Sequence, residues 1–172
     1  MNSPMLIKPL SRQDILTHID ALNDILVNCV NGGASVSFML PFSAGKAQTF
    51  WLGVADSVGR DERIVLGCFD AEQGLVGTVQ LIIENQPHRA DVAKLLVHEK
   101  ARRKGAAMAL MEALEAVARE KALTVLVLDT STGSGAETFY QRAGWQKAGE
   151  IPRYALMPNG DMTATSVFYK FL

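Results

Sequence analysis

Three consecutive cations and a glycine, Arg102-Arg103-Lys104-Gly105, stand directly before Ala106-Ala107-Met108 and a long run with helical spacing. A turn that feeds a helix in this way presents consecutive backbone N–H groups at the positive end of the helix dipole, which makes it an anion site. Gly105 lets the backbone approach a phosphate closely, and the three side chains add positive charge, so a pyrophosphate suits the turn. The plain alternative is a solvated basic turn. A phosphate-binding Walker loop is excluded, because no Gly-Lys-Ser/Thr is present. A dinucleotide fingerprint fits poorly, because it needs three spaced glycines in a parallel βαβ unit. Two carboxylates form a second set. Asp91 lies on an otherwise apolar strand, and Asp129 closes the apolar strand that begins at Leu123. Ligands collect at the carboxyl ends of such strands; an exposed strand-end carboxylate is the competing reading of each.

The elements around these residues read as follows. Met5–Leu10 is an edge strand. Ser11 and Asp14 form a capping-box-like start, and Ile15, Ile19, Leu22 and Leu26 continue one helix to Asn31-Gly32-Gly33. Ser43 opens a second helix with Ala47, Phe50, Trp51, Val54 and Val58 as its buried stripe. Arg63–Phe69, Leu75–Ile83 and Arg89–Val97 are strands joined by short turns, which implies an antiparallel meander. Alternation puts Asp91, Ala93, Leu95 and Val97 on one face of the third strand, with Val92, Lys94 and Leu96 on the other. The helix after the basic turn buries Ala107, Leu110, Met111, Leu114, Val117 and Ala118, and wets Glu112, Glu115 and Arg119. Leu123–Asp129 is a central strand. Ala136–Ala143 is a short helix stopped by Gly144, and Ser166–Leu172 is a closing strand. The expectation is a single α/β domain over residues 1–172.

Composition narrows the function. With 172 residues, 48% of them apolar and a formal charge of −1, the chain is an ordinary globular protein with no electrostatic footprint for nucleic acid. No apolar run approaches the ~20 residues that span a bilayer, and no signal peptide is visible. Cys29 and Cys68 have no metal-ligand spacing and read as reduced, buried thiols. His88 and His98 read as structural. A cytoplasmic protein without a metal is the expectation, and the sequence leaves a homodimer open.

The basic turn is followed, some 30 residues on, by Ala136-Glu137-Thr138-Phe139-Tyr140-Gln141-Arg142-Ala143-Gly144-Trp145. Together these segments resemble the GNAT superfamily of acyl-CoA N-acetyltransferases, which pairs [QR]-x-x-G-x-[GA] with A-x-x-F-Y-x-x-x-G-[FW] in a strand–helix–strand frame. Arg102, Gly105 and Ala107 fill the first pattern; Ala136, Phe139, Tyr140, Gly144 and Trp145 fill the second. Two positions depart: Gly133 stands where the family often has Asn, and Glu99 where it often has Pro. Asn31–Met39, Asp129-Thr130 and Met157–Asp161 are further similar to the tabtoxin-resistance acetyltransferases, which acetylate a small amino-acid-like toxin. The resemblance implies a mixed, mostly antiparallel sheet of six to seven strands flanked by about four helices.

It also implies a site. Arg103–Met108, with Arg102, would bind the pyrophosphate of acetyl-CoA, the co-substrate. Leu95, Leu96 and Val97 would hydrogen-bond the pantetheine arm through their backbone, one N–H serving as an oxyanion donor, and Ala136 would complete the cofactor site. Tyr140 would be the general acid, a phenol matched to a departing thiolate. Asp91 or Asp129 would attract or deprotonate the acceptor's ammonium through water. Gly33, Ser35 and Phe38, in the Asn31–Met39 loop, would cover a small amine acceptor. A protein or peptide N-acetyltransferase, a non-catalytic acyl-CoA sensor and, more remotely, a dinucleotide-dependent oxidoreductase are the competing readings.

Overall fold

A computed structural model describes residues 5–34 and 36–172. Ser35, expected in the acceptor site, lies outside the described residues. These form, in order, β1 (Met5–Pro9), α1 (Arg12–Thr17), α2 (Ile19–Asn31), α3 (Ala44–Gly59), β2 (Arg63–Asp70), β3 (Gly74–Ile83), β4 (Arg89–Val97), a 3₁₀ turn (Glu99–Ala101), α4 (Ala106–Glu120), β5 (Val125–Ser131), α5 (Gly135–Arg142), β6 (Gln146–Leu156) and β7 (Met162–Phe171). The seven strands make one sheet in the order β1-β2-β3-β4-β5-β7-β6, with every pairing antiparallel except β4–β5. The mixed, mostly antiparallel fold expected from the sequence is therefore present.

The sheet separates two cores. On one face Val79, Leu81, Ala90 and Val92 pack with Leu110, Met111 and Leu114 of α4 and with Tyr140, Trp145 and Phe168. On the other, Leu22, Ile25 and Leu26 of α2 and Trp51 and Val54 of α3 pack over Val65, Leu75 and Leu96. The buried indole of Trp51 donates to the Leu22 carbonyl at 3.0 Å, which ties α3 to α2 without leaving a polar group unpaired. The Ser11–Asp14 capping box is present in full, and Cys29 and Cys68 are free and buried.

Several expectations need correction. The first helix is two, because His18 (φ −102°, ψ 21°) ends α1 and opens α2; the helices thus number five. The central strand begins at Val125, since Leu123 still donates to Ala118 at the end of α4 through Ala122 at positive φ. The closing strand starts at Met162, and its partner β6 was not foreseen. Glu115 is buried, not wet, and meets Lys170. Val117 is only partly buried, and Ala106 replaces Ala107 on the buried stripe.

The parallel pair β4–β5 positions the site. Its register covers only Arg89–Asp91 against Val125–Val127. Beyond Asp91 the two strands diverge, and the β5-facing edge of β4 is left without a ladder partner. A bulge drives the divergence: between Thr78 and Gln80 of β3 the register on β4 jumps from Leu96 to Ala93. Lys94 sits in the extra stretch at φ 55°, a left-handed conformation costly for a residue with a Cβ. The bulge also resets the alternation. Leu95 and Val97 pack on the α4 side with Ala90 and Val92, whereas Leu96 joins the α2–α3 core. Asp91 and Ala93 therefore do not share a face with Leu95 and Val97.

Candidate active site

The gap between β4 and β5 runs from the α4 turn to Asp129, and cavities occur along its length. The first, of about 210 Å³, is lined by Val97, Arg102, Arg103, Gly105, Ala106–Met108 and Phe139. Arg103 (φ 63°) and Gly105 (φ 82°) both adopt left-handed conformations here. A Cβ added at Gly105 would meet nothing within 4 Å, so glycine is required by the backbone angle and not by crowding. No side chain caps the start of α4, which leaves its first N–H groups for an external acceptor. Arg102 lines the cavity but turns its Nε onto the Val97 carbonyl at 3.3 Å, which also accepts from the Cys29 thiol at 3.5 Å. Arg102 thus ties the turn to the end of β4. These residues fit an anionic group of pyrophosphate kind.

The second cavity, about 240 Å³, is lined by Gly33, Ala34, Val36, Lys94, Leu95, Leu96, Asp129, Thr130, Ser131, Ser134, Ala136, Tyr140 and Met157. It brings together Gly33, Leu95, Leu96, Ala136, Asp129 and Tyr140, all expected from the sequence. Tyr140 is placed by α5, whose aromatic side packs its ring against Phe139, Trp145 and Phe168. Burial, and secondarily the charge of Asp129, push the phenol up to about 12. It therefore stays protonated through neutral pH. The loop before α5 is shaped by Gly133 at φ 81°, whose N–H donates to the Glu137 carboxylate at 3.1 Å. The departure from Asn at this position is thus accompanied by a local capping bond from the helix itself.

On the α3 side of the gap, Asp91 and Asp129 line a cavity of about 340 Å³ with Ile82, Val127, Tyr154 and Thr165. Asp129 also borders a third space, about 320 Å³, with Ser37, Met39 and Leu156. Asp129 is thus the side chain common to all three. Burial first, and the hydrogen-bonded carboxyl of Glu84 second, push Asp91 up to about 6. Phe38 stands apart from Tyr140: it packs on Phe42 and Phe50 and lines a different hollow with Lys46. Lys104, expected at the cofactor site, is not among the residues lining the α4 cavity. His98 is not without partners: its Nε2 lies 3.1 Å from Asp24 and its Nδ1 accepts from the Lys100 backbone N–H.

Sequence reasoning missed Glu84, Lys94, Tyr154, Thr165 and Met157 as site residues. Tyr154 and Thr165 lie on stretches that were not read as strands. Lys94 was assigned to a face by an alternation that the bulge interrupts. Among the described residues no group of three His, Cys, Asp or Glu could hold a metal, and no helix is long and apolar enough to cross a membrane.

A family model described as the acetyltransferase (GNAT) family matches residues 37–145. Solved structures resemble the whole chain. A ribosomal-protein-alanine N-acetyltransferase from Brucella melitensis superposes with a TM-score of 0.77 at 20% identity, covering 97% of this chain and 99% of that one. A Salmonella typhimurium protein described as an acetyltransferase, solved with its cofactor acetyl-CoA, gives 0.77 at 15% identity over 99% and 95%. A spermidine N-acetyltransferase from Vibrio cholerae, in complex with CoA and spermine, gives 0.75 at 17% over 97% and 95%. At these identities the likeness to each structure establishes the fold.

Proposed function

Because this chain belongs to the acetyltransferase (GNAT) family, a family of acyltransferases that use acetyl-CoA, we propose that it acetylates the primary amine of a small, amino-acid-like molecule by direct transfer. One observation carries this reading. The anion-binding turn and the protonated phenol occupy successive stations on one unpaired strand edge, Val97 bordering the first cavity and Lys94–Leu96 the second. The residues proposed to hold a phosphate and those proposed to handle a proton thus border successive cavities along β4.

In this reading the Arg102–Met108 turn holds the pyrophosphate, and the backbone at Leu95–Val97, apart from the Val97 carbonyl taken by Arg102 and Cys29, aligns the pantetheine arm and polarises the thioester carbonyl. Asp129, with Asp91 behind it, draws in the acceptor's ammonium and takes its proton through water. As the new C–N bond forms and the C–S bond breaks, Tyr140 gives its proton to the leaving sulfur, and the second proton shed by the acetylated nitrogen passes through water to restore the phenol. A phenol near 12 is a weak donor toward a thiol of ordinary pKa about 8.5. The cavity that raises the phenol also raises a thiol held there, because both lose the same hydration of their anions. Burial of Cys29 pushes its thiol up for that reason.

The likeness to tabtoxin-resistance enzymes supports an amino-acid-like acceptor and, with it, a role in resistance to such a toxin or antibiotic. The free, buried cysteines support a cytoplasmic setting. Strand β6, at the end of the sheet order, is where a second copy would attach in a homodimer. The reading is tested by CoA release from acetyl-CoA with a panel of free amino acids, polyamines and peptides. It expects saturable release with a free amino acid or close analogue. Release with peptides alone would assign a protein acceptor, and acetyl-CoA binding with no release would assign a sensor.

A further inference from the structure

Among the described residues, Lys94 is the one cation that lines the Tyr140 cavity. The bulge holds it at φ 55°, on the strand between the anion turn and Asp91. Its ammonium lies 6.0 Å from the Phe38 ring centroid and 5.9 Å from that of Phe50. Rings at that distance give a cation weak electrostatic support and no hydrogen bond. Among the described residues Lys94 enters none of the ion pairs, which are made by Arg12, Arg60, His98, Lys147 and Lys170. The charges that act on it are Asp129, which favours its charged form, and Arg63, which opposes it, while burial outweighs both and lowers its pKa. A half-buried cation without a carboxylate partner is unfavourable by itself and becomes favourable when paired with an anion. Asp129 lines the same cavity with the opposite charge.

We propose that Lys94 binds the anionic group of a zwitterionic acceptor whose ammonium is held at Asp129. The proposal rests on the acetyl-transfer reading above and deepens it by naming a specificity residue. The ligand chemistry is a compact molecule carrying a primary ammonium and a carboxylate or similar anion. A polyamine, which has cations at both ends, would be repelled by Lys94.

The test compares each free L-amino acid of a panel with its methyl ester, which keeps the amine and removes the anion. For the amino acid turned over best, the wild-type enzyme should show kcat/KM at least tenfold above that of its ester, with the difference in KM. Lys94→Met should bring that ratio close to one, and Lys94→Arg should keep most of it. Calorimetric acetyl-CoA binding, expected to match wild type in both variants, confirms that they are folded. Equal or better use of the ester by wild type overturns the proposal, as does a ratio that survives in Lys94→Met. Turnover of spermidine or a peptide with none of any amino acid overturns it while leaving acetyl transfer standing. No CoA release with any amine, despite acetyl-CoA binding, overturns both.

Discussion

Lys170 Nζ lies 2.6 Å from the carboxylate of Glu115 and donates to the Ala143 carbonyl at 2.7 Å. One side chain thus joins the middle of α4 to the end of α5, the helix that carries Tyr140. Glu115 is 5% exposed, so removing Lys170 leaves a carboxylate buried without a cation. Lys170→Met is expected to cost about 3–5 kcal/mol, the range for breaking a buried pair, read by urea unfolding. The double variant with Glu115→Gln should recover part of that loss. A single-variant cost under about 1 kcal/mol would mean that solvent already screens the pair.

Tyr140→Phe keeps the ring packing and removes the proton. It should lower kcat by about 10²-fold or more with acetyl-CoA affinity nearly unchanged, measured by steady-state kinetics and calorimetry. Since the phenol is held up to about 12, kcat should show no decline attributable to Tyr140 up to pH 10. Full activity of the Phe variant would mean that water protonates the leaving thiolate.

Burial first, and the adjacent carboxyl of Glu84 second, push Asp91 up to about 6. If it takes the acceptor's proton, kcat/KM should rise through an acid limb near pH 6, and Glu84→Gln should move that limb to lower pH. The stability consequence has a definite sign. Folding favours the protonated form, so the favourable contribution is complete below the ordinary 3.8 and is lost as pH rises through about 6. Asp91→Asn should therefore raise Tm at pH 8, and the gain should vanish below pH 4. A lower Tm at pH 8 would show that the ionised carboxylate is stabilised by contacts, not burdened by burial.

Gly105→Val should raise the acetyl-CoA dissociation constant about tenfold, or about 1.4 kcal/mol. A β-branched residue resists φ 82° and its methyls would enter the α4 cavity. Calorimetry that finds unchanged affinity would move the cofactor away from this turn.

Much of this arrangement was legible in the chain because its causes are local. The Ser11–Asp14 cap, the Gly105 turn and the aromatic face of α5 each depend on residues within a few positions of one another. The β6 strand was not legible: Gln146–Arg153 is exposed throughout, so no apolar alternation marks it. Glu115 looked wet because its partner, Lys170, is on a strand 55 residues away. The bulge at Lys94 was hidden for a different reason. Alternation presumes an unbroken ladder, and only the register against β3 shows where one residue more is inserted. That residue both opens the gap between β4 and β5 and redirects the strand's faces, so the faces that alternation gave to Leu95, Leu96 and Val97 relative to Asp91 are not the ones observed.

The central claim is that acetyl passes from acetyl-CoA to the amine of a small molecule at the cavity shared by Asp129 and Tyr140. The most direct measurement is mass spectrometry of the products when the protein is incubated with acetyl-CoA and free amino acids. The account predicts an N-acetyl amino acid and free CoA in equal amounts, with both falling about 10²-fold in Tyr140→Phe. Free CoA without an acetylated amine, or the same yield from both proteins, would contradict it.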